Sequence, residues 1–88
     1  MNEAILLKGD DYEGLFVNGK LVQEGETLNE GHERIFYFLE LAESHEFNLK
    51  DMKLGEVSEA YNEKMKEKGG FDFYLSDVEY TISRGKLG

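Results

Sequence analysis

Imidazole chemistry in this chain rests on two residues, His32 and His45. They lie thirteen residues apart in one stretch of helical periodicity, more than three turns, so they cannot share a metal ion. A zinc site needs three or four converging ligands, and a chain without cysteine offers no thiolate. The two histidines therefore suit a core position and a helix end. Ser44-His45-Glu46 contains triad residue types, but neighbours on a helix point in different directions and form no triad. Asp10-Asp11 lacks the alternating oxygen ligands and fixed glycine of a calcium loop. Carboxylate pairs could serve glycoside chemistry, yet 88 residues seldom build the cleft it needs. The glycines are scattered, with no phosphate loop or dinucleotide fingerprint. The expectation is a protein without enzymatic activity, metal or cofactor.

What remains is charge. Nineteen acids against ten bases give −9. A direct nucleic-acid binder carries a basic footprint, so that class is disfavoured. The imbalance is uneven. Residues 1–46 hold eleven acids and three bases, a balance of −8, whereas residues 47–88 hold eight and seven, a balance of −1. Such a field steers basic partners and repels acidic ones, and it also serves plain solubility. No apolar run reaches membrane-spanning length. The N-terminus has neither a basic start nor a long apolar segment of the secretory kind. A soluble cytoplasmic protein is expected.

The element that must carry this field is Leu28 to His45, LNEGHERIFYFLELAESH. Leu28, His32, Ile35, Phe38, Leu39 and Ala42 recur at steps of three and four and predict one apolar face. Glu26, Glu30, Glu33, Tyr37 and Glu40 fall opposite. Thr27 with Glu30 forms a capping box, and Glu30 and Glu33 suit the positive end of the helix dipole. Glu40 and Glu43 lie toward the negative end, where the dipole gives them no reason to be. Phe36 and Tyr37 sit off the apolar face beside the glutamates, and exposed aromatics among charges are typical of binding surfaces. Glu30, Glu33, Phe36, Tyr37, Glu40 and Glu43 are thus the candidate partner-binding residues. The alternative for Phe36 is cover by another element.

The other elements follow from local signals. Asn18-Gly19 between Tyr12–Val17 and Lys20–Glu24 predicts a two-residue hairpin turn with both central residues at positive φ. Its register sets Val17 against Lys20, Phe16 against Leu21, Leu15 against Val22 and Glu13 against Glu24. The last pair places like charges together, which suits frayed strand ends. Phe16 and Leu21 share one face; Leu15, Val17 and Val22 share the other. Ala4 to Lys8 is a short apolar run with strand character, ended by Gly9-Asp10-Asp11. In residues 46–57, Asn48 offers a helix cap, and Met52 to Val57 offers a short strand, the favoured reading. Ser58 to Lys68 predicts a second helix, capped by Ser58 and ended by Gly69-Gly70. Phe71 to Ile82 alternates, with a parity change at Ser76-Asp77 that fits either a bent strand or a loop and then a strand. Residues 83–88 look like a loose tail. The sum is one α+β domain over 1–88: hairpin, helix, short strand, helix and C-terminal strand (ββαβαβ).

The stretch Gly14-Leu15-Phe16-Val17-Asn18-Gly19-Lys20-Leu21-Val22-Gln23-Glu24-Gly25 resembles the hairpin of small uncharacterised acidic phage and prophage proteins, which carry L-Y-V-N-G-K-L-V-x-E-G early in the chain. Gly69-Gly70-Phe71 and Leu75-Ser76-Asp77-Val78-Glu79 look similar to their C-terminal parts. The resemblance implies a phage origin and no particular activity; small phage accessory proteins often bind and inhibit a host protein. The expected function is a non-enzymatic interaction protein that occupies a basic host surface, as a DNA mimic where that surface normally binds nucleic acid. The competing expectation is a self-associating homodimer that uses a sheet edge or the Phe36 side.

Overall fold

A computed structural model describes residues 1–26 and 34–84. The first strand, β1 (Ala4–Lys8), is apolar at four successive positions, and such a run suits a strand buried on both faces. It occupies the centre of a five-stranded sheet of order β3-β2-β1-β4-β5. Antiparallel β2 (Glu13–Val17) and β3 (Lys20–Gly25) lie to one side. Parallel β4 (Lys53–Val57) and then antiparallel β5 (Tyr80–Arg84) lie to the other. Helix α1 (Arg34–Ser44) packs on one face and α2 (Glu59–Lys68) on the opposite face. The α+β class is as expected, with one strand more than the hairpin-first count: β1 is a full member of the sheet.

Strand periodicity divides the core in two. Ala4, Leu6, Leu15 and Val17 meet Phe38 and Ala42 of α1 together with Phe47 and Met52. Ile5, Leu7 and Phe16 meet Tyr61 and Met65 of α2 together with Phe71 and Val78. The hairpin turn has Asn18 at φ 51° and Gly19 at φ 79°, the positive values the turn requires. Val17 pairs with Lys20 and Phe16 with Leu21 as the sequence predicts, and the two apolar sets face the two cores as expected. The register then slips. A bulge next to Phe16 sets Leu15 against Gln23, Gly14 against Glu24 and Glu13 against Gly25. The expected Glu13–Glu24 clash and the frayed end it suggested are therefore corrected. Glu13 is buried and held by Arg34, and Glu24 accepts a hydrogen bond from the Phe71 N–H at 3.0 Å.

The second helix forms where the sequence places it. The Ser58 side chain accepts from the Tyr61 N–H, and Gly69 closes the helix at φ 88°, its N–H bonded to the Met65 carbonyl. Asn48 caps only a short 3-10 turn (Leu49–Asp51) before β4, so both of its suggested neighbours exist, the strand as favoured. After α2 the chain returns as a loop and a second 3-10 turn (Leu75–Asp77) before β5, the loop-then-strand option. Gly14 lies directly under the Phe71 ring, where a Cβ would come within 2.8 Å of it. Residues 83 and 84 belong to β5, so the expected tail is shortened; residues 85–88 lie outside the described residues.

Candidate functional site

Helix α1 is fixed to the sheet by Phe38 and Ala42, with Tyr37 and Leu41 packed at the margin of the same core. At its start, Arg34 makes a two-pronged contact with Glu13, at 3.1 and 2.9 Å. The Arg34 guanidinium also lies 5.0 Å from the centre of the Phe38 ring. The Glu13 side chain is 8% exposed, so this arginine meets a carboxylate largely removed from water.

This anchoring rotates the helix away from the expected face. Phe38 and Ala42 are buried, but Ile35 and Leu39 are 50% and 47% exposed. Tyr37, expected among the exposed glutamates, is half-buried, its ring edge-on to Phe38. The reason lies in the sequence of the helix. From Ile35 to Ala42 only Glu40 is charged, so two stripes qualify for the core and tertiary packing selects one. Phe36 is exposed at 66%, as one of the two alternatives held. Glu40 and Glu43 are exposed beside it. Glu30, Glu33, Leu28, His32 and the Thr27 cap lie outside the described residues. Of the six candidate residues, the structure brings Phe36, Glu40 and Glu43 together on one outward flank, and adds Ile35 and Leu39.

Among the described residues no lysine or arginine pairs with Glu40 or Glu43. The paired lysines belong to α2 on the other side of the sheet: Lys64 and Lys68 approach Asp72, and Lys66 approaches Asp10 and Glu63. There Asp72 is held below its ordinary range, first by the Lys68 hydrogen bond and then by the Tyr61 hydroxyl. Burial, with the Asp72 charge, pushes the Tyr61 phenol up to about 12. Helix α1 itself has no basic residue in its last turn. Glu43 therefore adds to the negative end of the dipole without compensation. Glu46, next in line, closes the helix in a left-handed conformation (φ 54°), and the following Phe47 N–H reaches the Ala42 carbonyl.

Beside Ile35, between α1 and the β4–β5 half of the sheet, runs an open groove of about 560 Å³ with Leu6, Leu49, Met52 and Leu54 along it. The Glu13–Arg34 pair stands at its wall. Nothing in the local sequence marks the groove, because its lining comes from six separate elements: β1, β2, α1, the Leu49–Asp51 turn, β4 and β5. Asp10 donates its N–H to Asn62 and its carboxylate faces Lys66. No group of three or more His, Cys, Asp or Glu side chains suited to a metal ion occurs among the described residues. None of the described helices is long and apolar enough to cross a membrane. No family model, curated protein or solved structure matches the chain.

Proposed function

We propose that this protein is a non-enzymatic interaction module that seats the outer flank of α1 on a basic surface of another protein. The observation that carries the reading is the exposure of Phe36, with Ile35 and Leu39 half-exposed next to it, beside two glutamates that no described cation neutralises. An apolar centre with a charged margin is the make-up of a protein-binding patch. The glutamates steer and orient a cationic partner; the aromatic ring supplies contact area. Where the basic surface ordinarily holds nucleic acid, the carboxylates stand in for phosphates and the protein inhibits by occupancy. The resemblance of the hairpin to phage proteins supports a phage origin and a host protein as target, met in the cytoplasm.

The test is capture of partners from host lysate by the wild-type chain, by Phe36→Ala and by Glu40→Lys/Glu43→Lys, each at low and raised salt. Capture is expected to fall with salt, to fall with the charge reversal, and to fall in Phe36→Ala at both salt concentrations. Equal capture by all three proteins refutes the proposal.

A further inference from the structure

The two edges of the sheet are treated differently. At β3 the backbone of residues 71–75 runs alongside: the Leu21 N–H bonds the Phe73 carbonyl at 2.7 Å, and the Leu75 N–H bonds the Gly19 carbonyl at 2.8 Å. At β5 one side pairs with β4, and no described residue pairs with the other. Open edges invite a further strand, and proteins usually blunt them with lysine, proline or a bulge. Here Tyr80, Thr81, Ile82 and Ser83 are uncharged, and Thr81 and Ile82 are exposed. A bulge is present, but it lies at Ser83, between the Gly55–Ile82 and Leu54–Arg84 pairs. It leaves Tyr80 to Ile82 regular.

From this edge we infer that β5 pairs with β5 of a second copy of this chain, antiparallel about a two-fold axis at Thr81. Three observations favour a second copy over another strand. First, the pairing is self-complementary. Thr81 meets Thr81 of the second copy, and Tyr80 meets Ile82 of the second copy on both sides of the axis. Thr–Thr and aromatic–β-branched pairs are among the favourable cross-strand combinations. Second, Glu79 then faces the uncharged Ser83 of the second copy, so no like charges oppose each other. Third, two chains of net charge −9 repel, and the other exposed elements carry carboxylates: Glu40 and Glu43 on α1, Glu59, Glu63 and Glu67 on α2. The β5 edge from Tyr80 to Ser83 carries no carboxylate; the nearest are Glu79 at its start and Glu56, one strand back beside Thr81, so two copies meet there with less repulsion than helix to helix. The contact is isologous and closes as a dimer. A three-residue edge is small, so the dimer belongs to the weak, transient class. This inference does not depend on the partner-binding role of α1.

Sedimentation equilibrium on the full chain up to millimolar concentration tests it. The wild type is expected to dimerise, and more strongly at high salt, because screening removes repulsion between the two acidic bodies. That sign is opposite to the salt dependence expected of the α1 flank. Thr81→Lys and Thr81→Glu each set like charges across the axis and are expected to weaken the dimer about tenfold. An equimolar mixture of the two variants is expected to recover dimerisation as a heterodimer. A wild type that stays monomeric at millimolar concentration in both salts overturns the inference. So does dimerisation that neither variant disturbs, or a mixture no tighter than the single variants. Dimers lost in Phe36→Ala and kept in Thr81→Lys would move the contact to α1 and also overturn it.

Discussion

Replacing Arg34 by methionine would strip a buried carboxylate of a partner that holds it at two points. Removing one member of a buried pair costs about 3–5 kcal/mol, because the other charge stays in place without compensation. Two facts adjust that figure. The Glu13 side chain is only 8% exposed, so little water can replace the arginine, while the Arg34 side chain is 34% exposed and part of its attraction is screened. An expectation of about 2–4 kcal/mol follows, including the cation–ring contact with Phe38. A domain of this length has about 4–13 kcal/mol in all, so the variant should sit near its unfolding threshold at moderate temperature. Urea titration followed by far-UV circular dichroism measures it by linear extrapolation. Glu13→Leu/Arg34→Met, which replaces the pair by apolar groups, should return to within about 1 kcal/mol of wild type. The cycle completed with Glu13→Leu gives the coupling. A loss under about 0.5 kcal/mol for Arg34→Met, or costs that simply add in the double variant, would refute the reasoning.

Four other outcomes follow from contacts elsewhere in the fold. Glu46→Gly relieves a left-handed backbone position and removes an acid from a helix end, so urea unfolding should show a gain of about 0.5–1 kcal/mol. Glu43→Lys places a cation at the negative end of α1 and should stabilise the fold by about 0.3–1 kcal/mol in the same assay while weakening partner capture. Tyr61 has a raised folded-state pKa, about 12 against 10.0, so its contribution is complete below pH 10 and is lost as pH rises through 12. Stability measured from pH 9 to 12 should fall by about 2 kcal/mol more in the wild type than in Tyr61→Phe. The Asp72 shift has the opposite sign: its contribution holds above the ordinary carboxylate range and is lost as pH falls below 3.8.

The parts of this structure legible in the sequence are those fixed by near neighbours. Asn18-Gly19 dictates its turn because few residues tolerate two positive φ angles in succession, and Ser58 and Gly69 bracket α2 by bonding their own helix. What stayed hidden depends on distant partners. The bulge beside Phe16 has no mark in the hairpin, since it serves the fit of Glu13 to Arg34 and of Glu24 to Phe71 across 21 and 47 residues. The face of α1 was undecidable from period alone, because Ile35 and Leu39 are as apolar as Leu41 and Ala42. Of the candidate site, Glu40 and Glu43 are readable as exposed from their place on the charged side of the helix, whereas for Phe36 the sequence leaves exposure and cover both open and the fold decides for exposure. Tyr37 lies at the core margin for the same reason that Ile35 and Leu39 lie outside the core: packing selects the Phe38–Ala42 stripe.

The central place of β1 has a consequence for how the protein is made. Its parallel neighbour β4 ends at Val57, 49 residues after β1 ends at Lys8. At about 5–20 residues per second, a ribosome needs roughly 2–10 s to supply that neighbour. Through this interval β1 can pair only with the hairpin strand β2, while α1 covers Ala4 and Leu6, and the pairing edge of the most apolar strand in the chain is open to other nascent polypeptides. The late arrival of β4 therefore makes crowding on polysomes an aggregation hazard for this chain.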